Sequence, residues 1–157
     1  MLTSSPEVEQ IIKDAANMAD NLGHAYVTVE HLTLALLNFS NFNKCVKDFG
    51  CDVDTMLVEL DVWLKKQHYL ASEQGTQPQK TYALERVFNR AFTQVIFHGR
   101  NHVQPADIFL AITGEDKSYS NYIFQKYGMV REQFVKYYNK NYREQKVTAL
   151  EKYDPQQ

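Results

Sequence analysis

Glu30 and His31 stand side by side at the mouth of an apolar run, a carboxylate and an imidazole of the kind that binds a basic ligand. His24 precedes them at a spacing open to a shared ligand. His98 and His102 are four apart, the separation of two metal ligands on one helix face. Gly99 falls between that pair, however, and a glycine stop breaks the face. Zinc-finger spacing of Cys and His does not occur. Cys45 and Cys51 flank Gly50, and Cys45 recurs with apolar neighbours, so both read as small core residues and not as nucleophiles. Thr81, Glu85, Arg86, Asn89 and Arg90 fall on the outward side of a helix whose other side is apolar. An arginine there can grip a partner carboxylate through two parallel N–H bonds. The catalytic patterns (a Ser/His/Asp order, paired carboxylates, a nucleophile elbow) do not stand out, although such sets assemble in space and not in sequence order, and the expectation is no cofactor and no metal. Plainer roles compete. An acid in a first helical turn favours the helix dipole by roughly 0.3–1 kcal/mol, and a histidine beside it can be core. Thr81 can be a cap, and its neighbours solvated charges.

These residues must be positioned by something. An apolar share of 44% supports a packed core and argues against disorder. A net charge of −2 removes the case for a duplex DNA partner, which demands a basic stripe. No apolar run approaches the roughly 20 residues of a membrane span. Met1–Pro6 lacks the basic and apolar segments of a signal peptide, and two cysteines make no disulfide framework. The expectation is a cytoplasmic protein with reduced thiols.

Ser5-Pro6-Glu7 has the chemistry of a helix start, and Val8, Ile11, Ile12, Ala15, Ala19 and Leu22 follow at helical spacing up to Gly23. Thr28 caps a second helix, apolar nearly all round through Leu37 and therefore central. Asn38–Asn41 has turn composition. A third helix carries Phe42, Cys45, Val46 and Phe49 to Gly50, and Asp52 caps a fourth with Val53, Met56, Leu57, Leu60 and Leu64 inward. Residues 68–80 are polar and aperiodic, a linker. The pattern then restarts. A displacement of 76 positions carries Val8, Ile11, Ala15 and Ala19 onto Leu84, Val87, Ala91 and Val95, Gly23 onto Gly99, and Leu32 onto Ile108. Further on the displacement is 78, carrying Val46, Gly50 and Met56 onto Phe124, Gly128 and Phe134. Two residues are thus inserted after the second central helix. The architecture predicted is all-α, a pseudo-twofold tandem repeat of two four-helix units over about 5–67 and 81–142, with a polar tail at 143–157.

Leu22-Gly23-His24-Ala25-Tyr26-Val27-Thr28-Val29-Glu30-His31-Leu32, with Leu34-Ala35-Leu36-Leu37 behind it, resembles the Clp N-terminal repeat that opens the Clp/Hsp100 unfoldases. Thr81–Ala91, followed by Gly99-Arg100-Asn101-His102-Val103, is similar to the second repeat of the ClpA-type N domain. The resemblance covers roughly residues 5–142. It implies a non-catalytic domain that receives protein substrates or adaptors, the small adaptor ClpS among them, for a Clp ATPase. Thr81 and Arg86 match residues on the adaptor-facing helix, and Glu85, Arg90, Glu30 and His31 complete the expected partner surface. In ClpC-like relatives a glutamate opens the central helix of each repeat and helps bind phosphoarginine. Glu30 matches the first, but Ala106 stands at the second, with Asp107 beside it, which favours the ClpA-like form. No Gly-x-x-x-x-Gly-Lys-Ser/Thr loop is present to cradle a nucleotide, so the chain is either part of a longer unfoldase or a stand-alone N domain. The competing class is a helical enzyme or small-ligand-binding bundle unrelated to proteolysis.

Overall fold

The computed structural model describes residues 2–67, 71 and 76–143. Helix α1 (Pro6–Asn21) starts where its chemistry dictates: the Ser5 hydroxyl accepts from the Val8 amide, and Pro6 fills the first turn. Helices α2 (Val29–Asn38), α3 (Ser40–Phe49) and α4 (Val53–Lys65) complete one unit. Helices α5 (Tyr82–Phe97), α6 (Pro105–Thr113), α7 (Tyr119–Lys126) and α8 (Arg131–Tyr138) form the second, closed by a π-helical turn at Asn139–Arg143. The fold is all-α, two four-helix repeats, as the periodicity predicts. Asn38–Asn41 is not an open turn, since only Phe39 separates α2 from α3. Gly23 and Gly99 leave the first helix of each repeat at φ +70° and +69°, a left-handed exit that favours glycine.

Helices α2 and α6 are the buried spine. Every residue from Val29 to Leu37 is buried, and so are Ile108, Phe109, Ala111 and Ile112. A helix apolar nearly all round must be covered on every side, and the other helices do this. Between the repeats the core is aromatic: the Phe109 ring meets Phe124 and Phe134 edge-on at 4.9 Å, and Phe134 meets Phe42 at 5.6 Å. Cys45 and Cys51 are buried, and burial pushes the Cys45 thiol up to about 11, so it is an apolar filler.

Among the described residues, four two-residue strands join the repeats, and the helical periodicity gave no sign of them. Strand β1 (Thr3–Ser4) pairs in parallel with β4 (His102–Val103), and β2 (Tyr26–Val27) pairs with β3 (Gln79–Lys80). The 76-residue displacement turns one pairing into the other, so each repeat lends a strand to its neighbour. The bonds obey the same rule: Ser5 N–H donates to the Val103 carbonyl at 2.9 Å, and Thr81 N–H to the Val27 carbonyl at 3.2 Å. The end of the expected linker is therefore a strand. The rest of that linker, apart from Ala71 and Thr76–Pro78, and the expected tail beyond Arg143 lie outside the described residues.

Leu36 is fully buried in the α2 spine. Leu36→Ala is expected to cost about 2–5 kcal/mol through lost transfer energy and an unfilled cavity, seen as a lower urea midpoint at unchanged slope.

Candidate partner-docking cleft

A cleft of about 570 Å³ opens where the first turns of α2 and α5 face the Gly114–Ser118 loop. Thr28, Glu30, Thr81, Ala83 and Arg86 line it from the helices, and Glu115, Asp116 and Lys117 from the loop. That loop is where the two inserted residues sit, so the departure from exact repetition builds one wall of the cleft. Thr81 caps α5, its hydroxyl accepting from the Leu84 amide at 3.1 Å. Arg86, one turn on, lays its guanidinium on Glu115: Nη2 donates to Oε1 at 2.7 Å and Nε to Oε2 at 3.5 Å. Arg90 approaches the same carboxylate from below, Nη2 to Oε2 at 2.8 Å, while its Nη1 donates to the Ala111 carbonyl at 2.6 Å, at the negative end of α6. These arginine bonds hold the Glu115 carboxyl below the usual carboxylate range, Arg86 being the larger cause.

Gly114 makes this arrangement possible. A Cβ there would sit 2.5–2.6 Å from the Arg90 guanidinium atoms, closer than side chains pack. Arg90 is consequently not on the outward face that helical spacing assigns to it; it is folded under the loop. Glu85 is exposed and lies outside the cleft lining. Of the two arginines Arg86 is the presented one, its side chain 58% exposed against 11% for Glu115, and Lys117 is exposed on the loop wall.

Glu30 plays a different part. It is buried, and its Oε2 accepts from the Ser120 amide at 3.2 Å and the Ser120 hydroxyl at 3.0 Å. Thr33 continues the chain, with its hydroxyl 2.8 Å from that of Ser120. Glu30 therefore ties α2 of one repeat to the first turn of α7 in the other, showing only an edge to the cleft. Burial raises its carboxyl above the ordinary range, and the Ser120 bonds offset part of that rise.

His31 is fully buried, and both ring nitrogens are engaged within the protein. Nδ1 accepts from the Thr28 amide at 2.9 Å, so in this arrangement Nε2 carries the proton and donates to His24 Nδ1 at 2.9 Å. It closes the cap of α2 and offers no surface to a partner. The second repeat reproduces the device with different chemistry at the displaced positions: Asp107 Oδ2 accepts from the Gln104 amide at 2.9 Å, and Arg100 grips Asp107 with both terminal nitrogens, at 3.0 and 2.5 Å. Two spines thus carry equivalent caps, one a neutral imidazole pair and one an ion pair.

Residues 3–127 match the Clp repeat (R) N-terminal domain. The chain belongs to the Clp N-terminal repeat family. It is 30% identical over 129 residues to the ClpA homolog protein of Fuscovulum blasticum, a match covering 81% of this chain and 16% of that protein. The chain therefore spans about a sixth of that relative's length. In shape it is similar to the Hsp104 N-terminal domain of Candida albicans (TM-score 0.72, 16% identity, covering 87% of this chain and 89% of that one). It is also similar to the ClpV N-domain in its complex with a VipB peptide (TM-score 0.66, 22% identity, 87% and 84% covered). Among the described residues of this Clp N domain, no helix is long and apolar enough to cross a membrane.

Sequence reasoning missed Glu115, which organises both arginines, and the His24–His31 and Arg100–Asp107 caps. The second had a signal: the 76-residue displacement carries His24 onto Arg100 and His31 onto Asp107.

The imidazole cap makes an acid-sensitive joint. Burial and the neighbouring His24 lower His31 to about 4, and burial lowers His24. The unfolded chain therefore binds more protons than the folded one between about pH 6.5 and 4. Stability from this pair is complete well above pH 6.5 and falls with acidification, His31 giving a slope of up to about 1.4 kcal/mol per pH unit and His24 acting in the same direction. Replacing the pair with its counterpart, as His24→Arg with His31→Asp, is expected to flatten that slope in urea titrations across this window.

Proposed function

We propose that this domain docks protein segments, substrates or an adaptor of the ClpS kind, for a ClpA-like unfoldase, and that it acts by binding alone. The observation that carries this is the posture of Arg86. A guanidinium has five N–H donors, and Arg86 spends two on Glu115 while most of the side chain remains in solvent. A cation fixed on one edge by a largely buried carboxylate has already given up much of its rotamer freedom, so a partner carboxylate need not order it again. Thr81 and the edge of Glu30 lie in the same cleft and add polar contacts around that anchor. Glu85, on the exposed side of α5, belongs to the approach and not to the cleft. Arg90 acts through Glu115, holding it for Arg86.

Family membership supports the reading, and so does the ClpV N-domain seen with a VipB peptide, a domain of similar shape holding a protein segment. Affinity is expected to rest on a few central anchors and not on the total area covered. The role is the same whether the domain is joined to an ATPase or acts beside one.

Calorimetry with purified ClpS tests it. Arg86→Glu places an acid where the anchor cation stood and is expected to lower affinity at least tenfold, about 1.4 kcal/mol. Glu115→Gln, which loosens Arg86 without removing it, is expected to fall between that variant and the wild type. Unchanged ClpS binding by Arg86→Glu would exclude the cleft as the docking site.

A further inference from the structure

The internal repeat separates what the fold requires from what it merely permits. In the first repeat a groove of about 450 Å³ runs between the end of α1 and the outer face of α4, over α2. Its counterpart in the second repeat lies between α5 and α8, over α6. The floors agree: Leu34 and Leu57 in one, Leu110 and Val135 in the other. The rims do not. Met18, Leu22 and Val58 in the first groove stand where Gln94, His98 and Lys136 stand in the second. The fold thus accepts polar side chains at these places; Met18 and Leu22 pack partly against the core, but Val58 does not. Val58 is 61% exposed, and Val62, one turn on, extends the apolar stripe along α4.

Charge differs in the same direction. Asp61 lines the first groove where Asn139 lines the second. Asp14, one turn before Met18, has Arg90 as its counterpart, whereas Asp54, one turn before Val58, keeps an acid, Glu132, at its counterpart. The cations near these acids are held in exposed pairs, Lys65 with Asp61 at 2.8 Å and Lys47 with Asp54 at 3.5 Å. Such pairs contribute little at a surface, so a ligand's cation can take over either acid.

We propose that this groove docks an amphipathic helix of a partner protein, its seam apolar at i, i+3 or i+4, and i+7, with lysine or arginine flanking the seam. The walls decide helix over strand. Helices α1 and α4 spend their backbone groups internally, so an extended peptide would find no ladder to join, whereas a helix satisfies its own backbone. Asp61 on the rim, with Asp14 one turn before Met18, decides the flanking charge. The groove shares no lining residue with the Arg86 cleft, and this proposal stands apart from ClpS docking.

Fluorescence anisotropy of the full chain with a labelled model helix of leucine, lysine and alanine, about 18 residues long so that it holds helical structure, is the test. The comparison probe carries glutamate in place of lysine. Saturable binding of the lysine helix is expected, at least tenfold tighter than that of the glutamate helix. Met18→Gln with Val58→Lys installs the second repeat's residues and is expected to weaken the lysine helix at least tenfold with the melting temperature held. Asp61→Asn, a milder variant at a half-buried site, is expected to weaken the lysine helix and leave the glutamate helix unchanged. Arg86→Glu is expected to bind the lysine helix as the wild type does. No binding by the wild type, equal binding of both helices, full binding by the double variant, or loss of binding in Arg86→Glu overturns the proposal.

Discussion

A helix whose residues are buried leaves little room for water along its first turn, and its leading N–H groups find partners inside the protein. Helices α2 and α6 meet this demand through the third residue of each helix, which reaches back to the amide of the capping position: His31 to Thr28, Asp107 to Gln104. Each capping side chain is braced by a residue just past the preceding helix, His24 or Arg100. That bracing fixes how α1 delivers the chain to α2, and α5 to α6. The segments between them, β2 and β4, are held straight enough to bond the opposite repeat. Thr81 then hangs from the Val27 carbonyl, and α5 with Arg86 is aimed accordingly. The position of the cleft thus descends, step by step, from the burial of two helices.

Much of this was legible from local chemistry. Caps and apolar faces are encoded within a few residues, so Ser5, Thr28, Asp52 and Thr81 announce helix starts, and a displacement of 76 exposes the duplication. The strands were not legible. Gln79–Lys80 has neither alternation nor β-branched residues, and its pairing with Tyr26–Val27 is a property of the closed molecule. Helical spacing put Arg90 outward because a helical wheel knows nothing of Gly114, which leaves room for a guanidinium beneath the loop. His31 was placed among contact residues by its neighbour Glu30; its burial follows from a cap whose partner lies seven residues earlier. Glu115 went unnoticed because its importance lies in two arginines from another helix.

The repeats diverge at their surfaces and also at the buried entries to their central helices. The spines keep their apolar character, but Glu30 has Ala106 as its counterpart, and only the first of these reaches across to a serine of the other repeat. The loop after α6 is longer than the single residue after α2, and the extra chain supplies the wall on which Arg86 rests. The symmetric frame keeps its shape while one copy of each feature is modified.

The reciprocal strand pairing carries a consequence for assembly. A single repeat owns a strand to give, ahead of its first helix, and an edge to receive one, ahead of its second. It cannot pair them with each other in the way seen here, where donor and acceptor always belong to different repeats. Two separate copies of one repeat would satisfy the same bonds only by exchanging strands as an isologous dimer, the closed twofold arrangement in which each subunit presents the same patch. Read this way, the tandem chain is such a dimer with its subunits joined end to end. Covalent joining frees the two halves from having to remain identical, and the Arg86 wall and the apolar groove each occupy a place where one half has changed without the other.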